Sequence, residues 1–204
     1  QIVCITAVAC APESRGGGTA TVLLKDAIKE LHELGVPLAT LQPVTDPLYR
    51  MAGFEKTGTR NTFRIRTNGL PVCPREIRDI YKIKEIVSEE DRQMAKDVHA
   101  EFASRVHGCV LRNEYLWYRA QYSIVTDQPF QGYLFINKET GKPEGYTFFS
   151  TTVVDDVTHN ICIQDIYYTT NNCLRRLCDF FRRHFPIVPE VIMHAVSEEP
   201  ILKH

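Results

Sequence analysis

The chain has 204 residues, 24 Lys and Arg against 25 Asp and Glu for a formal charge of −1, and 44% apolar residues. That composition suits a folded chain and excludes intrinsic disorder, and so balanced a charge lacks the broad basic field that non-specific nucleic-acid binding needs, so no nucleic-acid partner is expected. No stretch approaches the ~20 apolar residues that span a bilayer, and no basic leader precedes the opening apolar run, so no membrane association is expected; the odd number of scattered cysteines points to a cytoplasmic location.

In chain order, Gln1 to Ala9 is short, mostly β-branched or small, and ends in the turn formers Ala11-Pro12-Glu13-Ser14, the pattern of a strand buried on both faces. From Gly18 onward Ala20, Leu23, Leu24, Ala27, Ile28, Leu31 and Leu34 recur at steps of three and four, and Gly35 follows as a C-terminal cap. Pro37 to Gln42 is again a short apolar run. Residues 1–42 therefore read as a strand–helix–strand unit with its two strands parallel. Asp46 before Pro47 predicts a helix N-cap, Gly53 stops that helix, and Thr59 to Arg66 alternates with Phe63 and Ile65 on one face. Turn formers crowd residues 67–74, where a linker is expected, dividing the chain into domains at 1–70 and 71–204.

Ser88-Glu89-Glu90-Asp91 resembles a capping box ahead of the stripe Met94, Val98, Phe102, Val106, and a further helix is expected over residues 112–122. Gly132 to Asn137 and Glu144 to Thr152 flank a turn and predict a hairpin, with a third strand from Val157 to Tyr167. Leu174, Leu177, Cys178 and Phe181 mark a helix, and Glu190 to Val196 a last strand. The order strand–turn–helix–strand thus occurs twice, at 1–42 and 157–196.

Seven cysteines, Cys4, Cys10, Cys73, Cys109, Cys162, Cys173 and Cys178, are odd in number and contain no Cys-x-x-Cys pair, so they read as reduced core thiols. No His-x-x-x-His occurs, and His99 and His107 lie eight apart on an expected helix, so no metal is expected. Arg175-Arg176 and Arg182-Arg183 read as a solvated face.

The sharpest signal is Arg15-Gly16-Gly17-Gly18-Thr19-Ala20, between the first strand and the first helix. Glycines there let backbone N–H groups approach a ligand, and the helix N-terminus adds about half a positive charge, so a phosphate group is the natural guest. The bland alternative is that the glycines only tighten the turn. No Lys-Ser/Thr follows them, as a P-loop requires, and Thr21 stands where a dinucleotide fingerprint needs its third glycine.

What does match is Arg-x-x-Gly-x-Ala, written as Arg15, Gly18 and Ala20 and followed by Tyr49-Arg50-Met51-Ala52-Gly53-Phe54. This resembles the coenzyme A-binding core of the GNAT acetyltransferases. With Leu48-Tyr49-Arg50 and the run from Gly108 through Leu111-Arg112 to Trp117, it is similar to the Eis-type (enhanced intracellular survival) branch, in which two such domains stand in tandem. The resemblance implies a mixed α/β sheet fold and an acetyl-CoA-dependent N-acetyltransferase acting on a primary amine of a small molecule or a peptide lysine. It also implies a homo-oligomer, a hexamer in that branch. A complete first domain would begin with elements ahead of residue 1, and a third domain would follow, supplying a base through its C-terminal carboxylate; the chain is therefore expected to be a fragment. Its apolar edge at residues 2–8 then needs a partner to avoid aggregation.

Carried onto this sequence, the resemblance implies that the main chain of Val8, Ala9 and Cys10 holds the pantetheine arm and thioester carbonyl. Arg15, Gly16, Gly17, Gly18, Thr19 and Ala20 would hold the diphosphate, Thr45 would lie near the reactive end, and Tyr49 would be the general acid. A phenol, with an ordinary pKa of ~10, keeps its proton at pH 7 and can give it to a departing thiolate; the alternative for Tyr49 is plain packing. In the second half Tyr168 to Cys173 takes the place of the glycine turn and offers side chains where a diphosphate needs bare backbone, so no coenzyme A is expected there. The competing functional class is a non-catalytic coenzyme A-binding or interaction module.

Overall fold

The computed structural model describes residues 2–195, and these fall into two compact units divided between Gly58 and Thr59.

The first unit is a strand–helix–strand arrangement. Strand β1 (Ile2–Ile5) pairs parallel with β2 (Leu38–Leu41), and α1 (Thr19–Glu33) connects them. Gly18 at φ 79 forms the N-cap of α1. A short α2 (Asp46–Met51) follows, with Thr45 rather than Asp46 at its N-cap position and Pro47 in its first turn. Leu24 of α1, Tyr49 of α2 and Ala52 just beyond it form the unit's core, with Ile5, Val8, Ile28, Leu41, Leu48 and Phe54 packed against them. The expected doubly buried strand is not found: β1 alternates exposed and half-buried residues, because within this unit only one side of a two-stranded sheet is covered. It also ends early, since Ala7 takes a left-handed φ of 57 that breaks the extended run.

The second unit is built on a six-stranded sheet in the order β3-β8-β7-β6-β5-β4. Its strands are β3 (Asn61–Arg66), β4 (Tyr81–Glu85), β5 (Gln131–Asn137), β6 (Pro143–Val153), β7 (His159–Tyr168) and β8 (Glu190–Ala195). All pairings are antiparallel except that of β7 with β8, which α6 (Asn171–Arg182) connects. Neighbouring strand residues point to opposite faces. Leu134 accordingly packs with Val98 of α4 (Glu89–Arg105) and Trp117 of α5 (Glu114–Gln121), whereas Phe135 packs with Cys173 and Leu177 of α6. The sheet is thus covered on both sides, and β6 at its middle is buried continuously from Gly145 to Phe149. The capping box at Ser88 forms as expected, with Ser88 Oγ accepting from Asp91 N at 3.1 Å and Asp91 Oδ2 accepting from Ser88 N at 3.1 Å.

Several expectations need correction. The residues expected to link two domains are part of the second unit's core: Thr67, Leu70 and Cys73 are buried, Arg182 donates to Leu70 O at 2.7 Å, and Cys73 N donates to Asp179 Oδ1 at 3.4 Å. The chain leaves the first unit before β3, whose six residues all pair with β8. Two short elements, α3 (Arg75–Ile80) and β4, occupy a stretch where no element is expected. The Arg pairs of α6 are not simply a solvated face, because Arg176 and Arg183 both donate to the buried Asp179, at 3.0 and 2.7 Å. Of the seven cysteines, Cys73, Cys173 and Cys178 are buried, Cys4 is exposed and the others are half-buried; all are free thiols. His107 lies beyond the end of α4, so it does not share a helix with His99. The last strand ends within the described residues at Ala195, and Val196 lies outside them.

Candidate functional site

The turn between β1 and α1 exposes Gly16 to Thr19, with Ala20 half-buried. Gly16 and Gly18 adopt φ of 82 and 79, a region that strains any residue bearing a Cβ, whereas Gly17 does not use it. Space is not the constraint, since a Cβ at Gly16 or Gly18 would meet nothing within 4 Å. Among the described residues, the N–H groups of Gly16, Gly17, Gly18, Thr19 and Ala20 donate to no backbone carbonyl, while Gly18 O accepts from Thr21 N at 3.0 Å and Val22 N at 3.1 Å. Five consecutive donors are therefore unspent at the positive end of a 15-residue helix. Phosphate or carboxylate is the chemistry such a cluster accepts.

The approach to this turn is ordered. Ala7 precedes Val8 to Cys10, and its left-handed φ of 57 turns the main chain out of the β1 ladder, leaving Val8 half-buried and Ala9 exposed. No sequence signal marks this, because Ala is not a residue that favours φ above zero. Four hydrogen bonds then close the segment from Cys10 to Arg15. Ser14 N donates to Ala11 O at 2.9 Å, Arg15 N to Pro12 O at 3.3 Å, Cys10 Sγ to Ser14 O at 3.4 Å, and Arg15 Nε to Cys10 O at 3.3 Å.

Tyr49 belongs to the core cluster that also takes in Val8, and its ring meets Phe54 edge-on at 6.4 Å. The side chain is 8% exposed, and among the described residues its hydroxyl neither donates to a protein acceptor nor is sealed from solvent. The ring is thus gripped while the O–H is left free. Thr45, one turn earlier, is exposed and makes no side-chain cap bond.

At the corresponding β7-to-α6 junction, Thr170 is the N-cap and its Oγ1 accepts from Cys173 N at 3.2 Å. The same hydroxyl donates to Glu144 Oε2 at 2.8 Å, and Thr169 N donates to Glu144 O at 2.8 Å. Burial would raise the Glu144 carboxyl, but hydrogen bonds from Tyr81, Asn137 and Thr170 outweigh it and hold the group below its ordinary value. The Arg112 and Trp117 singled out in the sequence sit in a buried network next to this junction. Arg112 pairs bidentately with Asp165, at 2.6 and 2.7 Å, and Tyr146 donates to Asp165 Oδ2 at 2.7 Å. The guanidinium lies over the rings of Trp117 and Tyr167, at 4.9 and 5.2 Å. His99 packs edge-on against the same two rings with its Nε2 unpartnered among the described residues; burial, then the charge of Arg112, lowers its pKa from 6.5. The β7–β8 ladder ends at the pair Ile163 and Met193, and a cleft of about 510 Å³ opens beyond it. Among the described residues no group of three or more His, Cys, Asp and Glu is arranged to hold a metal ion, and no helix is long and apolar enough to cross a membrane.

Known proteins place this architecture in a class. Residues 1–57 and residues 108–204 each match a family model described as an acetyltransferase (GNAT) domain. A GCN5-related N-acetyltransferase from Anabaena variabilis superposes with a TM-score of 0.85 at 24% identity, over 99% of this chain and 50% of that one. A conserved protein of unknown function from Enterococcus faecalis, a probable N-acyltransferase, gives 0.79 at 25% identity over 96% and 47% of the two chains. Eis1 from Mycobacterium abscessus gives 0.66 at 14% identity over 98% and 50%. The chain thus spans about half the length of these solved structures. No curated protein matches the sequence. The chain has the GNAT acyl-CoA N-acyltransferase fold, with two segments that match GNAT acetyltransferase domains.

Proposed function

We propose that the first unit binds acetyl-CoA, with its diphosphate on the amides of Gly16 to Ala20, and serves acetyl transfer to a primary amine of a small molecule or a peptide lysine. The observation that carries this reading is the row of five unspent N–H donors at the start of α1, in open space, just where a diphosphate needs donors rather than side chains. When bound, acetyl-CoA supplies an acetyl thioester activated toward amines. The main chain of Val8 to Cys10, released from the β1 ladder at Ala7, offers its polar groups to the thioester end. Tyr49, held by its ring with its hydroxyl free, is the side chain that would pass a proton to the departing sulfur. The match of Leu48 to Arg50 and of Gly108 to Trp117 supports an Eis-type arrangement within the class. The second unit, whose helix start is capped by Thr170, has a packing role and takes no coenzyme A.

A second reading is favoured by the burial of the Tyr49 ring: a coenzyme A-binding module in which that residue only packs. Calorimetric titration with acetyl-CoA tests the binding. The wild-type chain should release heat, and Gly18→Glu, which sets a like charge and a strained Cβ at the turn, should weaken binding about 100-fold or more; absence of binding by the wild type removes both readings. Thiol release with a panel of amines separates them. Tyr49→Phe should lower turnover about 10²- to 10⁴-fold with acetyl-CoA affinity kept, whereas binding without turnover in the wild type favours the module.

A further inference from the structure

Arg15 directly precedes the three glycines, and the obvious role for its guanidinium is to meet a phosphate. Its Nε–H is already engaged, donating 3.3 Å to Cys10 O across the base of the loop. The opposite side chain of the loop reciprocates, with the Cys10 thiol donating to Ser14 O at 3.4 Å. Together with Ser14 N to Ala11 O and Arg15 N to Pro12 O, these bonds lock residues 10–15 into a closed turn. Immediately beyond come three glycines, the residues that lose most conformational freedom when fixed. Their far end is held by α1, through the bonds of Thr21 N and Val22 N to Gly18 O. Among the described residues, their near end is held by the closed turn alone.

We propose that Arg15 is a positioning residue whose Nε–H clasps the Cys10 carbonyl and fixes the entry to the glycine turn, so that the amides of Gly16 to Ala20 are aimed before a ligand arrives. The inference rests on the reading above that those amides hold a diphosphate. A donor strip fixed in advance binds more tightly because less freedom is lost on binding. The clasp also ties the segment proposed for the thioester end, Val8 to Cys10, to the segment proposed for the diphosphate, so one side chain sets the spacing between them.

Clasp and charge make opposite demands on a substitute. Gln carries its amide nitrogen at the same place along the side chain as the Arg Nε and can donate to Cys10 O without any charge. Lys keeps the charge but has a methylene at that place. Coenzyme A titrated into the full 204-residue chain should bind Arg15→Gln within about threefold of the wild type and Arg15→Lys about tenfold more weakly, the worth of one lost hydrogen bond. Retention by Lys with loss by Gln overturns the clasp in favour of a direct charge on the phosphate, and equal affinities for the two variants overturn it as well. A ligand-free measurement stands beside the titration: amide solvent exchange by NMR at Ser14 and Arg15 should quicken in Arg15→Lys and stay unchanged in Arg15→Gln. Were the wild type to bind no coenzyme A, the functional reading would fall while the exchange pattern still supported or overturned the clasp. Matching thermal melts for the three proteins exclude misfolding as the source of any difference.

Discussion

Where β1 runs into α1 the chain presents three glycines, and among the described residues the amides of Gly16 to Ala20 find no acceptor; where β7 runs into α6, Thr170 caps the helix and is itself bound to Glu144. Both junctions belong to parallel strand–helix–strand units. The difference is in what satisfies the helix start. At α6 a side chain satisfies the amide of Cys173, so stability comes from the protein itself. At α1 the N-cap is Gly18, which offers no side chain, so among the described residues the donors stay unspent. The second unit extends the same habit, placing Arg112, Asp165 and Tyr146 in a closed polar network beside its cleft. One junction is finished by side chains, and at the other the proposed diphosphate site rests on backbone amides alone.

The largest test of that contrast is Arg112→Ala, which leaves Asp165 buried and unpaired. It should cost the second unit about 3–5 kcal/mol, the usual penalty for halving a buried ion pair. Trp117 is the only tryptophan in the chain, so urea unfolding followed by its fluorescence reports on this unit; a change within error would mean that the pair does not hold the unit together. Thr170→Ala comes next. Removing the cap should cost about 1 kcal/mol in the same measurement, and an unchanged midpoint would show that the α6 start does not depend on its side chain.

The smallest effect is a pH dependence confined to the second unit. His99 is buried against Trp117 and Tyr167, and burial and Arg112 hold its folded pKa below the ordinary 6.5, with Asp165 opposing weakly. The unfolded chain then binds the proton more readily, so the stability His99 contributes is present above 6.5 and is lost as pH falls below it. Thermal unfolding at pH 7.5 and 5.5 should give a lower midpoint at the acid value, with the gap reduced in His99→Phe. Asp91 adds nothing in this window: the Lys84 ammonium, with the amides of Ser88 and Val87, holds its carboxylate well below the usual range. An equal gap in wild type and variant would break the assignment to His99.

Local signals in the sequence were enough for α1, where seven apolar residues recur at helical spacing between Gly18 and Gly35, and for α4, where Ser88 and Asp91 form the capping box. The hairpin of β5 and β6 and the order strand, helix, strand of β7, α6 and β8 were likewise legible, because each rests on neighbours in the chain, whereas the parallel pairing of β7 with β8 was not. Failures occurred where distant residues decide. Turn formers over 67–74 read as a linker, yet Asp179 and Arg182 of α6 pin that stretch to the core. Arg176 and Arg183 read as solvated because nothing local announces that Asp179, between them on the helix, is buried. At the candidate site the glycine turn and Tyr49 were visible as residue types, whereas the left-handed Ala7 and the clasp from Arg15 to Cys10 were not.

The sequence by itself determined α1 with its two flanking strands, the capped start of α4 and the bare-backbone turn, since periodicity, capping residues and glycine act within a few positions of one another. Only the tertiary structure decided that β3 pairs with β8, joining Arg64 to Glu190 across 126 residues, and that Arg112 is neutralised by Asp165 rather than offered to a ligand. Strand pairing and the partnering of buried charge depend on which surfaces come together, and chain spacing does not encode that.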